Sequence, residues 1–260
     1  MSWALIAGGS KGLGYSIAEA LCKRHYNLVL VARERNGLLA AEKKLEERYP
    51  IEVRIISCDL SLPDSVAVIH DYCVNEGLVL NILCNAAGMG GAIDFPELPL
   101  NDLRKMVSVN LDSAIALSFS LLTLLKTHAP SYILNIGSMA GFAPFPIKNV
   151  YSASKAAILY FSYSLDQQLR DSNISVSCLC PGPLFTKPEI ERETIKKLKW
   201  LGKQMNLDVQ MVGEWAVRDM LKKKKLIIPG KLVKIMSFIL RVLPARFMAH
   251  LIYRYGYKAG

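Results

Sequence analysis

The chain lacks every residue spacing by which a metal or redox centre is usually written: there is no paired CxxC and no HxxxH. Its six cysteines, Cys22, Cys58, Cys73, Cys84, Cys178 and Cys180, are scattered through apolar stretches and read as buried thiols of a reducing compartment. The four histidines share no ligand spacing, so no metal is expected. Linkers, low-complexity tracts and fixed-period repeats are also missing, which leaves one continuous domain as the economical division of 260 residues. No apolar run approaches the roughly 20 residues of a spanning helix; the best candidate, 114–125, is broken by Ser118, Ser120 and Thr123. A secretory signal is not apparent, because Trp3–Ala7 runs straight into a glycine loop. The expectation is a cytoplasmic protein that does not span a membrane.

Acidic residues are scarce at one end only. Residues 196–260 hold 15 Lys and Arg against 3 Asp and Glu, a balance of +12, whereas the whole chain carries +10. The first 195 residues are therefore slightly acidic, with no basic groove or aromatic stacking positions, and a specific nucleic-acid partner is not expected.

What the chain does have is a regular alternation. Aliphatic and β-branched runs recur at Trp3–Ala7, Leu28–Ala32, Val53–Ser57, Leu80–Cys84, Tyr132–Ile136, Ser175–Cys180 and Leu226–Ile228, separated by segments of helical period such as Leu38, Ala41 and Leu45. Strands apolar on both faces and alternating with helices imply a parallel sheet covered on both sides. The predicted class is α/β, a doubly wound Rossmann-type fold with a seven-stranded parallel sheet in a single domain. Residues 1–230 form the catalytic body, with a lid over 183–207, and 231–260 a basic helical tail.

The first strand ends in Gly8-Gly9-Ser10-Lys11-Gly12-Leu13-Gly14 and a helix follows. Glycines at 8, 12 and 14 permit a tight turn and let phosphate oxygens approach the amides of the helix N-terminus. Ser10, Lys11 and Leu13 complete the cofactor-facing loop. The second strand ends Val31-Ala32-Arg33, without the acid that would grip the ribose hydroxyls of NAD. Arg33 and Lys11 are suited instead to a 2′-phosphate, so the expected cofactor is NADP(H).

Tyr151 and Lys155, four residues apart, share one helical face. A cation beside a phenol favours its ionised form, which predicts a lowered tyrosine pKa and proton transfer at working pH. Ser138 ends the fifth strand at the carboxyl edge of the sheet, where such folds bind ligands. Asn110 falls within a long apolar helix and needs partners for its amide.

With these motifs in order, the sequence resembles the short-chain dehydrogenase/reductase family over roughly residues 3–187. The family's TGxxxGxG is matched from Ala7 to Gly14 with Ala7 in place of threonine, and its NNAG by Asn85-Ala86-Ala87-Gly88 with Ala86 in place of the second asparagine. The resemblance implies that Tyr151 is the general acid/base, that Lys155 binds the nicotinamide ribose and depresses the tyrosine pKa, that Ser138 positions the carbonyl, and that Asn110 supports a water relay. It further implies that Asp59 and Leu60 flank the adenine and that Asn85, Ala86 and Gly88 line the cofactor. Pro181, Gly182, Leu184 and Thr186 match the PGxxxT turn. The implied activity is NADPH-dependent hydride transfer between nicotinamide and a carbonyl or secondary alcohol. A non-catalytic NADP-binding sensor or scaffold is the alternative, and the intact Asn110, Ser138, Tyr151 and Lys155 speak against it.

The lid and tail carry the substrate question. Leu184, Phe185, Ile190, Ile195, Leu198 and Trp200 make the lid partly apolar, which suits an aliphatic or polycyclic ketone but equally suits packing on the core. The tail resembles that of a branch acting on long-chain 3-oxoacyl, sphingoid and steroid ketones, implying a lipid-like substrate. Between Pro229 and Pro244, Leu232, Ile235, Met236, Ile239, Leu240 and Leu243 form a helical stripe, with Lys234, Ser237 and Arg241 opposite. Such a helix either lies on an anionic membrane surface or packs over the pocket or a subunit interface. A homodimer or homotetramer is the expected assembly.

Overall fold

The computed structural model describes residues 2–90, 95–184 and 207–256. Seven strands are present: β1 (Trp3–Ala7), β2 (Asn27–Ala32), β3 (Val53–Ser57), β4 (Leu80–Asn85), β5 (Ser131–Ile136), β6 (Ile174–Leu179) and β7 (Leu226–Ile227). All pair in parallel, in the order β3-β2-β1-β4-β5-β6-β7. The predicted strands fall within a residue or so of these bounds.

Because successive strand side chains point to opposite faces, each apolar run feeds two cores. On β1, Ala4 and Ile6 join one cluster with Ile17, Leu21, Leu38, Leu45, Val212 and Met220. Trp3, Leu5 and Ala7 join the other, with Ile69, Cys73, Leu117, Leu125 and Leu169. The first face is covered by α1 (Gly12–Cys22), α2 (Arg35–Glu46) and α8 (Val209–Leu221), the second by α3 (Ser65–Asn75), α5 (Ser113–Ser120), α6 (Leu122–Thr127) and the end of α7 (Asn149–Gln168). Leu38, Ala41 and Leu45 are the buried stripe of α2, as their spacing predicts. α1 and α8 lie in close contact: Ser16 Oγ donates to Val209 O at 2.8 Å, and Arg24 pairs with Glu214.

The strand order reverses at β1 and β4. Connections from these two strands leave to opposite sides, so a crevice opens at their carboxyl ends. The apolar helix expected around Asn110 is not continuous. α4 (Leu100–Val107) widens into a π-helical turn over Ser108–Asp112 before α5.

The tail forms two helices, α9 (Lys231–Val242) and α10 (Ala245–Gly256), broken at Pro244. The expected phase of α9 is corrected. Ser237, assigned to the polar face, is 0% exposed and faces inward with Val233 and Leu240. Ile235, Phe238, Ile239 and Val242 form an outward apolar ridge, Phe238 and Val242 being 61% and 63% exposed. The cause is composition, since α9 is apolar around most of its circumference and Val233 supplies the inward contact with Gly182. No helix among the described residues is long and apolar enough to cross a membrane.

Candidate active site

The crevice holds a groove of about 220 Å³ whose floor is the turn from β1 into α1, including Gly8, Ser10, Lys11, Leu13 and Gly14. Gly12 is the first residue of α1, and no side chain caps that helix, so its first-turn amides remain available to a ligand. At positions 8 and 14 the turn tolerates nothing larger than glycine. Gly8 has φ +86° and a Cβ there would lie 2.7 Å from Ala87 N; one on Gly14 would lie 2.1 Å from Gly8 O. Such a cradle, backbone on all sides with free amides, fits a dinucleotide pyrophosphate.

Arg33 lies at the mouth of the groove, as expected. Glu34 stands beside it and pairs with Lys11 at 3.9 Å in an exposed contact. Lys11 is thus shared with a carboxylate, whereas the Arg33 guanidinium has no ion pair among the described residues. Asp59 and Leu60 also line the groove, with Cys58 before them. Burial alone would raise the Asp59 carboxyl, but hydrogen bonds from Ser61 and Lys105 outweigh it and hold the pKa low.

Of the predicted NNAG residues, Ala86 and Gly88 line the groove, together with Ala87 and Met89. Asn85 does not. Its side chain turns into the core, where Nδ2 donates to Asn135 Oδ1 at 2.8 Å and Ser118 Oγ at 3.3 Å, and Asn135 Nδ2 continues to Ser162 Oγ at 2.9 Å. A buried polar chain thereby ties β4, β5, α5 and α7 beneath the site.

The four catalytic candidates converge. A Cβ on Gly88 would lie 3.4 Å from Asn110 Oδ1 and 3.6 Å from Lys155 Nζ, and one on Gly90 3.7 Å from the Tyr151 ring. Asn110 grips the same loop: Oδ1 accepts from Met89 N at 2.7 Å while Nδ2 donates to Met89 O at 2.9 Å and Ser154 Oγ at 3.2 Å. Both amide protons are used in holding Met89 and Ser154, so the side chain acts as a brace. Ser154 was not foreseen; it lies between Tyr151 and Lys155 in sequence, where only its spacing on the helix marks it.

Lys155 is fully buried and donates to Ile136 O at 2.7 Å. Burial pulls its pKa down to about 8, opposed by the neighbouring Cys178 and Cys180 thiols. The ammonium lies 5.9 Å from the Tyr151 ring centre. The expected depression of the tyrosine pKa is not what this geometry gives: burial raises the phenol, and the opposing effect is a hydrogen bond from Ser138. Desolvation of the phenolate exceeds the stabilisation that the Ser138 hydrogen bond provides.

Ser138 Oγ accepts from Ala140 N at 3.1 Å, so its own proton is the one turned toward Tyr151. The turn after it is pressed onto α7, a Cβ on Gly141 meeting Lys155 O at 2.6 Å. Pro181 O accepts from Met139 N at 3.0 Å, which ties Pro181 to the Ser138 turn, while Gly182 faces Val233 of α9 and Leu184 packs on the same core cluster as Leu13 and Ala86. Thr186 and lid residues 185–206 lie outside the described residues. Beyond Ser138, the loop packs on the tail: Met139, Phe142, Ala143 and Phe145 form one apolar cluster with Leu240, Leu243, Met248, Leu251 and Ile252. Lys148, also unforeseen, stands at 6.0 Å from the Tyr151 ring centre.

The short chain dehydrogenase family profile matches residues 2–196, and the chain belongs to that family. It is 32% identical over 204 residues, 75% of its length, to the very-long-chain 3-oxoacyl-CoA reductase of Rattus norvegicus. The match takes in 64% of that relative's length, less than two thirds of it. Among solved structures, a short-chain dehydrogenase from Sphingobium yanoikuyae in complex with NADPH superposes with a TM-score of 0.79 at 25% identity, covering 100% of this chain and 96% of that one. An alcohol dehydrogenase from Comamonas testosteroni specific for bulky-bulky ketones gives 0.77 at 25% identity, covering 100% and 94%.

Proposed function

We propose that the protein is an NADP(H)-dependent oxidoreductase acting on the carbonyl or secondary alcohol of an apolar, lipid-like substrate of the 3-oxoacyl type. The observation that carries this reading is the continuity of the glycine groove, with Arg33 at one end, and the Ser138, Tyr151 and Lys155 cluster at the other. A nicotinamide cofactor bound along the groove supplies hydride to the carbonyl carbon. Tyr151 gives its phenolic proton to the carbonyl oxygen as negative charge develops there. Its raised pKa keeps it protonated and ready to act as the acid. Ser138 donates a hydrogen bond to the same oxygen and orients it. Lys155 spends one proton on Ile136 O, and its remaining donors would serve the ribose hydroxyls of a bound cofactor. Asn110 keeps the Met89 loop in place beneath them. The relatives' names support a long, apolar substrate, and so does the apolar cluster that the loop after Ser138 forms with α9 and α10. The test is oxidation of NADPH, followed by nicotinamide absorbance, with 3-oxoacyl thioesters and simple ketones; absence of turnover on every carbonyl tried defeats the reading.

Two partner readings accompany it. Phe119 on α5 and Tyr160 on α7, 82% and 70% exposed, support self-association through these helices. Light scattering checks this, a monomer at all concentrations being the contrary result. The outward ridge of α9, flanked by Lys234 and Arg241, supports peripheral contact with an anionic membrane surface.

A further inference from the structure

Lys148 has no part in the proton transfer, yet it stands beside it. It closes the turn Pro146–Lys148, its N–H donating to Phe145 O at 2.9 Å, and α10 packs on that turn. Its ammonium is 6.0 Å from the centre of the Tyr151 ring, nearly the separation of Lys155 from the same ring. The side chain is half-buried, and burial lowers its pKa. Among the described residues neither a carboxylate nor a carbonyl takes its ammonium. A surface lysine reaches for water, and a buried one is normally paired. Lys148 falls between these cases, half-buried with its ammonium over the Tyr151 ring, and a cation held so beside a reacting group is placed to meet a ligand.

The chemistry of the site narrows what that ligand atom is. A simple ketone offers one oxygen, and Ser138 and Tyr151 already take it. A 3-oxoacyl group carries a second oxygen on the acyl carbon two positions away, and its alkyl chain suits the apolar surroundings that Phe142, Phe145, Leu243 and Leu251 give the same loop. We propose that Lys148 is a specificity-determining residue that donates a hydrogen bond to the acyl oxygen of a 3-oxoacyl substrate, and so distinguishes it from a simple ketone. This rests on the 3-oxoacyl reading above.

The experiment uses the protein saturated with NADP⁺, which cannot reduce a ketone, and titrates two ligands by calorimetry. One is a 3-oxoacyl thioester of N-acetylcysteamine; the other is the matching 3-oxoalkyl thioether, identical except for the missing acyl oxygen. The wild type is expected to prefer the thioester by about tenfold or more, the usual effect of a hydrogen bond to a charged group. Lys148→Met should erase that preference and Lys148→Arg retain part of it, with NADP⁺ affinity as the check on folding. With NADPH, Lys148→Met should raise the thioester KM far more than it lowers kcat, as loss of ground-state binding does. The assignment is overturned if the wild type binds both ligands alike, or if Lys148→Met weakens both equally. A wild type that reduces ketones without preferring the thioester defeats only this inference, whereas one that reduces no carbonyl defeats the reading beneath it.

Discussion

The two ends of the crevice are built from different materials. At the β1 end the floor is backbone: Gly8 and Gly14 leave no room for a Cβ, and the first turn of α1 carries no side-chain cap. At the β5–β6 end the walls are side chains drawn from distant segments, the 139–148 loop and the two tail helices. A backbone site recognises what all dinucleotides share and admits little variation. The side-chain site can be recomposed residue by residue without disturbing the sheet, which is where substrate choice resides.

Substitutions probe this division. Tyr151→Phe removes only the phenolic proton from the side-chain end, and turnover should fall by roughly two to four orders of magnitude. NADPH affinity, measured by fluorescence titration, should be nearly unchanged; substantial residual turnover would move the acid elsewhere. At the backbone end, the cofactor choice depends on a side chain added at the rim. Arg33→Ala should weaken NADPH binding roughly ten- to a hundredfold, about 1.5–3 kcal/mol, and leave NADH binding where it was. Equal affinity of the wild type for the two cofactors would contradict this. Lys11→Ala should do less, because Lys11 is already engaged by Glu34.

Lys155 sits where the two ends meet, and it should reveal a conflict between stability and function. The folded pKa of about 8 lies below the ordinary 10.5, so at pH 7 the cofactor-free protein holds a buried ammonium at a disadvantage. Between those values the unfolded lysine binds more protons than the folded one, and stability therefore rises with pH through that window. Lys155→Met should stabilise the cofactor-free protein by about 1–3 kcal/mol at pH 7, less whatever is lost at Ile136 O. The gain should shrink as pH rises from 8 toward 10.5, as urea unfolding at several pH values would show. A gain independent of pH would mean that desolvation of the charge is not its cause.

The smallest effect on folding is expected on the outer face of α9. Ile235→Ser with Ile239→Ser should change stability by no more than about 0.5 kcal/mol per site. Sedimentation with phosphatidylserine vesicles at low salt should nevertheless fall sharply, and salt should weaken it in the wild type. If the wild type does not sediment, the ridge serves another surface.

The backbone end was far more legible in the sequence than the side-chain end. Glycine spacing after an aliphatic run encodes the first directly, and Tyr151, Lys155 and Ser138 are placed by helix period and strand end. Asn85 shows what a motif hides: strand alternation puts it on the same face as Leu83, toward the core that holds Ser118, and that signal was outweighed by the motif's expected cofactor role. The π-helical turn at Asn110 has no sequence signature. Neither does the phase of α9, since apolar residues surround most of that helix and several stripes fit it equally well. Lys148 was invisible because a single lysine closing an apolar loop is unremarkable until α10 is seen against its turn.

The apolar wall also has an order of assembly. Five strands of the sheet, the glycine turn and all four catalytic candidates are encoded before residue 156, whereas the cluster on Phe142 and Phe145 needs Leu240 to Ile252. During synthesis, the glycine groove is therefore translated well before the tail half of that apolar cluster. On the proposed reading, a nascent chain passes through an interval in which the means of reduction precede the means of selection.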